Sequence, residues 1–161
     1  MRTSTILLTA LAAITPAFCI PAAPPSANTS LITCVQHPAS PREQQKIFER
    51  YAELLYVKRT PDPAFVYIAS DEIQHNPYQL DGAAASFAAV NPIVTNCSYG
   101  VEVLQQAFQA PFGWVHWRLD GPFPTPTSVV DIYRFEGACI VEHWDTMQQV
   151  PTDAINPHPL F

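Results

Sequence analysis

Apolar positions along this chain change their period once. In the first half they recur at helical spacing: after Ser40-Pro41-Arg42-Glu43, the residues Ile47, Phe48, Tyr51, Leu54 and Leu55 fall on one face. Ser40 with Glu43 forms a capping box, with proline at the first helical position. The spacing predicts a long amphipathic helix that fades near Lys58-Arg59-Thr60. Thr60-Pro61-Asp62-Pro63 restarts a short helix through Phe65 to Ile68, and Asp81-Gly82 opens a third, alanine-rich helix toward Val90. After Pro92 the pattern becomes β-like: Tyr99 to Phe108, Trp114 to Asp120, Thr127 to Phe135 and Cys139 to Thr146, separated by Ala110-Pro111, Gly121-Pro122 and Gly137-Ala138. Helices followed by an antiparallel sheet predict an α+β fold, in which a curved sheet is closed on one side by the N-terminal helices and a pocket lies between the layers.

The last hairpin carries the densest chemistry. Gly137-Ala138 fits a two-residue loop, which sets Glu136 opposite Cys139 and Phe135 opposite Ile140. Counting outward pairs Tyr133 with Glu142, Asp131 with Trp144, and Ile132 with His143. Alternation then puts Asp131, Tyr133, Phe135, Ile140 and Trp144 on one face, and Ile132, Arg134, Val141, His143 and Asp145 on the other. A bulge in either strand would exchange the faces beyond it. On the preceding strand Trp114, His116 and Arg118 share a face, away from Val115, Trp117 and Leu119.

With 161 residues, 48% of them hydrophobic, the chain has material for one core and one domain. A net charge of −6 with scattered Lys and Arg offers no basic stripe for nucleic acid or anionic lipid. Arg2, the apolar run Ile6 to Ile14, and the small residues after Pro16 have the layout of a secretory signal peptide, too short to span a membrane. The expected organisation is a signal peptide over 1–19, a Pro/Ala/Ser-rich leader over 20–39 and a domain over 40–161, in a secreted protein. Asn28-Thr29-Ser30 and Asn96-Cys97-Ser98 satisfy the glycosylation pattern. With Cys19 lost, Cys34, Cys97 and Cys139 would form one disulfide and leave one thiol. A bridge from Cys34 that ties the leader to a strand is favoured, with Cys139 ahead of Cys97 as its mate.

The segments Ile73-Gln74-His75-Asn76-Pro77 followed by Asp81-Gly82, Val130-Asp131-Ile132-Tyr133-Arg134, and Ile140-Val141-Glu142-His143-Trp144-Asp145 together resemble the SnoaL-like polyketide cyclases. These belong to the nuclear-transport-factor-2-like superfamily, with ketosteroid isomerase and scytalone dehydratase. The resemblance covers about Ser40 to Phe161, including the Asn156-Pro157 tail. It implies a cone-shaped α+β barrel, often a homodimer, with a pocket for a small hydrophobic molecule and acid/base chemistry without a cofactor. By position it implies Asp131 and His116 as the catalytic pair, which requires both to share a face. The chain departs from the family pattern at its turn, where Gly137-Ala138-Cys139 replaces acidic-Gly-Lys, and in its leader.

Burial among Tyr133, Phe135 and Trp144 suits Asp131 to proton transfer; the structural alternative is an ion pair with Arg118. His116 is either its proton partner or a core histidine satisfied by backbone. His75, in a loop entering the pocket side, is a pocket-wall residue or a helix cap. Arg118 and the aromatics Trp114, Trp117, Trp144, Tyr133, Phe112 and Phe135 complete the expected ligand wall, each aromatic also reading as core. Tyr51, Tyr56 or Tyr67 would add a hydroxyl from the helical side. His143 and Asp145, placed near Arg134, suggest a surface or dimer-interface ion network. They amount to half a metal clamp with nothing to complete it, so no metal is expected. The function expected is a cofactor-independent cyclase, isomerase or dehydratase of a small polyketide-like carbonyl compound. The alternatives are a non-catalytic binder of a small hydrophobic ligand and a protein whose pocket is filled by its own side chains.

Overall fold

The computed structural model describes residues 31–161; the signal-peptide boundary, Cys19 and the Asn28 sequon lie outside the described residues. Helix α1 (Pro41–Ala52) starts where its capping box places it, with the Ser40 amide donating to Glu43 Oε2 at 2.8 Å and the Glu43 amide returning to Ser40 Oγ. Its apolar face buries Phe48, Tyr51 and Ala52. Phe48 lies directly over Gly113, where an added Cβ would come within 2.5 Å of the ring. The helix then widens into a π-helical turn, Glu53–Val57. In an α-helix a residue five positions on points roughly 140° away, but a wider turn reduces that angle. Tyr51 and Tyr56 are therefore both buried on the inner side.

Helix α2 (Pro61–Phe65) ends before the residues the sequence pattern assigned to it, and Ile68 instead opens a strand, β1 (Ile68–Gln74). Helix α3 spans Ala83–Val94, running through Pro92, and is followed by β2 (Gly100–Gln109), β3 (Phe112–Asp120), β4 (Thr127–Glu136) and β5 (Cys139–Gln149). The sheet order is β1-β5-β4-β3-β2, so the sheet is open, with β1 and β2 at its edges. The later four strands are antiparallel, as expected, whereas β1 pairs with β5 in parallel and makes the sheet mixed. Helices and sheet enclose one core that includes Phe48, Leu55, Phe65, Val115, Leu119 and Ile140.

The β4–β5 hairpin begins in the expected register, with Glu136 opposite Cys139 and Phe135 opposite Ile140. Beyond that Arg134 faces Glu142, so Val141 is an extra residue in β5. This bulge shifts every later pair by one: Tyr133 faces His143, Ile132 faces Trp144, and Asp131 faces Asp145. The inner and outer faces of β5 are exchanged from Glu142 onward, which corrects the expected faces of His143, Trp144 and Asp145.

Residues ahead of α1 are laced to this hairpin. Cys34 is disulfide-bonded to Cys139, the favoured pairing, across a sequence separation of 105. The Cys34 amide donates to the Ile68 carbonyl at 2.7 Å, and the Ala138 amide donates to the His37 carbonyl at 2.9 Å. That contact needs Gly137: its φ is +51°, and a Cβ there would lie 2.2 Å from the His37 oxygen. Cys97 is also disulfide-bonded, and no cysteine among the described residues is free. Among the described residues no helix is long and apolar enough to cross a membrane. A cross-link closing so long a loop removes entropy from the unfolded chain, so Cys34→Ser should lower stability by about 3 kcal/mol. An unchanged urea midpoint in the variant would show that the strap contributes nothing.

Candidate functional site

The inner face of the sheet and the helical layer bound a cavity of about 110 Å³. Its wall is mostly apolar, with Leu55, Phe65, Ile68, Val90, Ile93 and Leu119, and its polar groups converge on Asp131. Asp131 projects inward from β4 and is 6% exposed. The indole Nε1 of Trp117, on neighbouring β3, donates to its Oδ2 at 2.6 Å. The hydroxyl of Tyr56, delivered by the π-helical turn, donates to the same oxygen. Having one proton to give, Tyr56 in turn accepts from Tyr133. Burial, then the charge of Asp131, pushes the Tyr56 and Tyr133 hydroxyls well above the usual tyrosine range. Tyr51 packs edge-on against Tyr133, and burial raises it as well.

The other carboxylate oxygen, Oδ1, meets Nε2 of His143 at 3.2 Å. The proton inventory of this histidine follows from its neighbours. The Asn76 backbone amide, which can only donate, reaches Gln74 Oε1 at 3.0 Å, so that atom is an acceptor. The Gln74 amide nitrogen is held by Gln79 Oε1 and Ser86 Oγ, each at 3.2 Å. His143 Nδ1, 3.0 Å from Gln74 Oε1, must therefore carry a proton. One further proton lies between Nε2 and Asp131, giving a carboxylate–imidazole pair that is neutral overall. The imidazole also stacks on the Tyr133 ring, at a centroid distance of 4.8 Å. Burial opposes charge on His143, but the Asp131 hydrogen bond and the carboxylates of Asp131, Glu72 and Asp145 outweigh it and raise its pKa.

Of the expected site residues, Asp131 and Tyr133 meet in this cavity. Phe135 is buried beside them in the core, edge-on to Phe108. His116 lies on the other face of the sheet, with Nε2 2.8 Å from Ser128 Oγ, because β3 turns Val115, Trp117 and Leu119 inward. The partner of Asp131 is thus His143 and not His116. Trp114 is on the outer face, as is Arg118, which pairs with Asp120 at 2.9 Å and not with Asp131. The bulge places Trp144 outside too, stacked on His75 at 4.6 Å, while His75 Nε2 binds Glu142 at 2.7 Å. Gln74 and Asn76, which flank His75 in sequence, line the cavity.

His143, expected in a surface ion network, and Gln74 were not expected in the site, whereas Trp117 was among the aromatics expected as ligand wall or core. Alternation separated Trp117 from His116, and the burial pattern of β3 shows that the face bearing Trp117 is the inward one. Asp131, His143 and Asp145 also bring ligand atoms within 4.8 Å of one another, the third group the metal reading lacked. In this structure His143 Nε2 and Asp131 Oδ1 are bonded to each other, and Asn76 Nδ2 donates to Asp145 Oδ2 at 2.5 Å.

No known family model matches the chain, and no curated protein matches it. Solved structures do. An NTF2-like protein of unknown function from Mesorhizobium loti is 18% identical, with a TM-score of 0.59 over 73% of this chain and 99% of the other. A second NTF2-like protein of unknown function, from Burkholderia xenovorans, is 13% identical, with a TM-score of 0.56 over 70% and 88%. TsrD from Streptomyces laurentii is 14% identical, with a TM-score of 0.52 over 66% and 89%. At these identities the likeness shows a shared fold, that of the NTF2-like proteins.

A histidine whose pKa is raised on folding stabilises the native state fully below its unfolded value, and that stabilisation is lost as pH rises through the folded value. His143 should accordingly titrate above its ordinary 6.5 in imidazole NMR spectra, and stability should fall over the interval above 6.5. In His143→Gln that decline should flatten; an identical decline in the variant would remove His143 as its source.

Proposed function

We propose that this protein is a cofactor-independent acid/base enzyme that moves a proton next to the carbonyl group of a small, largely apolar compound. It falls in the cyclase, isomerase or dehydratase class that the SnoaL-like resemblance implies. The observation that carries this reading is the Asp131–His143 pair, withdrawn from water at the polar end of an apolar cavity. Asp131 is held by donors from β3, β5 and the π-helical turn, so it need not reorganise when a substrate arrives. In the proposed step the carboxylate takes a proton from the carbon beside the carbonyl, and the His143 imidazolium balances the negative charge that develops on the substrate. Reversal of the transfer returns the proton to carbon. The Cys34–Cys139 disulfide and the signal-like N-terminus support a secreted protein, since such bonds persist in oxidising compartments.

One observation favours a second reading, a binder without chemistry: both nitrogens of His143 and both oxygens of Asp131 already have protein partners. The readings separate on β-tetralone, a bicyclic ketone with acidic protons beside its carbonyl. The enzyme should speed exchange of those protons for deuterium, followed by NMR. Asp131→Asn and His143→Gln should each retain the fold and lose about 100-fold or more of that rate. Binding without accelerated exchange would decide for the binder.

A further inference from the structure

Glu72 is a buried carboxyl that the proposed chemistry does not use. It sits on β1, 2% exposed, and lines the cavity. Its Oε2 accepts the Ser86 hydroxyl proton at 2.6 Å. Ser86 then has no second proton to give, and it accepts from Gln74 Nε2. Among the described residues Glu72 Oε1 has no hydrogen-bond partner, and no fully occluded side-chain polar atom lacks one. Oε1 therefore opens onto the cavity.

We propose that Glu72 anchors the ligand, donating a hydrogen bond from its carboxylic acid to the carbonyl oxygen of an uncharged, otherwise apolar molecule. The inference rests on the cavity being a ligand site and extends that reading to the ligand's chemistry. Burial raises the pKa of Glu72; the Ser86 hydrogen bond and His143 pull it down, and Asp81 pushes it up. The groups around it are Ser86 on α3, Asp81 before α3, His143 and Asp145 on β5, Asp131 on β4, and Tyr51 and Tyr56 on the helical side. With Asp131 and Asp145 on the same wall, a ligand carboxylate would be repelled, whereas a neutral acid beside a carbonyl leaves neither group unpaired.

The test compares β-tetralone with tetralin, its counterpart without the oxygen, and with β-naphthoate, by titration calorimetry. Wild type should prefer the ketone to tetralin by about tenfold, the worth of one buried hydrogen bond, and should reject naphthoate. The preference should be present at acid pH and lost as pH rises through the folded pKa of Glu72. Glu72→Gln, whose amide also donates, should keep the preference without its pH dependence, and Glu72→Ala should abolish it. A preference unchanged in Glu72→Ala, or tetralin bound as tightly as the ketone, overturns the role of Glu72 while leaving the cavity a ligand site. Failure of every compound to bind overturns the cavity reading and Glu72 with it.

Discussion

The site depends on one surplus residue in β5. With Val141 unpaired, the strand turns Glu142 out to Arg134, 2.5 Å from its Nε, and turns His143 in to Asp131. Without the bulge, Glu142 would face Tyr133 from the inner side, a carboxylate among aromatic rings with no cation to meet it, and His143 would lie on the outer face. Burying an unpaired charge costs several kcal/mol, so the bulged register resolves both problems together. A bulge also bends and twists its strand, which suits a sheet wrapped around a cavity.

Once His143 and Asp131 are inside, the rest of the polar architecture follows from the need to satisfy them. Removing one member of a buried pair typically costs about 3–5 kcal/mol, because the other is left uncompensated. Here the partners come from separate elements: Trp117 from β3 and Tyr56 from the helical layer donate to Asp131, and Gln74 from β1, itself fixed by Asn76, Gln79 and Ser86, accepts from His143. Such a network holds the relative positions of helices and strands as well as the protonation of the imidazole. The π-helical turn belongs to the same requirement, since it lets Tyr51 and Tyr56 both reach the cavity from one helical segment.

Much of the fold was legible. The capping box at Ser40, the buried face of α1, the four antiparallel strands and the Gly137 turn all leave strong local patterns, and the Cys34–Cys139 bridge followed from a loop-entropy argument. Strand β1 was not, because Ile-Ala-Ser-Asp-Glu-Ile-Gln has no strict alternation; its burial follows its place at the sheet edge under α3. Asp131 and Tyr133 were legible as inward residues, whereas His143 and Trp144 were assigned to the wrong faces. A bulge between Ile140 and Glu142 changes no residue type, so alternation counted along the sequence carries straight through it. The signal available was electrostatic: the placement of Glu142 opposite Arg134 instead of Tyr133. His116 misled for a related reason, since resemblance by position does not report which face of a strand a side chain takes.

The parallel pairing of β1 with β5 sets the order in which this site comes into being. Among the described strands β1 pairs only with β5, the last of them, apart from the single bridge to Cys34. A nascent chain that has not yet released β5 holds two unsatisfied strand edges, on β1 and β4, together with the bare apolar wall of the future cavity. Gln74 meets His143 across 69 positions and Tyr56 meets Asp131 across 75, so none of these contacts can guide the early chain. The pocket is therefore completed only once β5 has been made, and a chain cut short before Cys139 would hold its helices and most of its core residues without ever acquiring the histidine that faces Asp131.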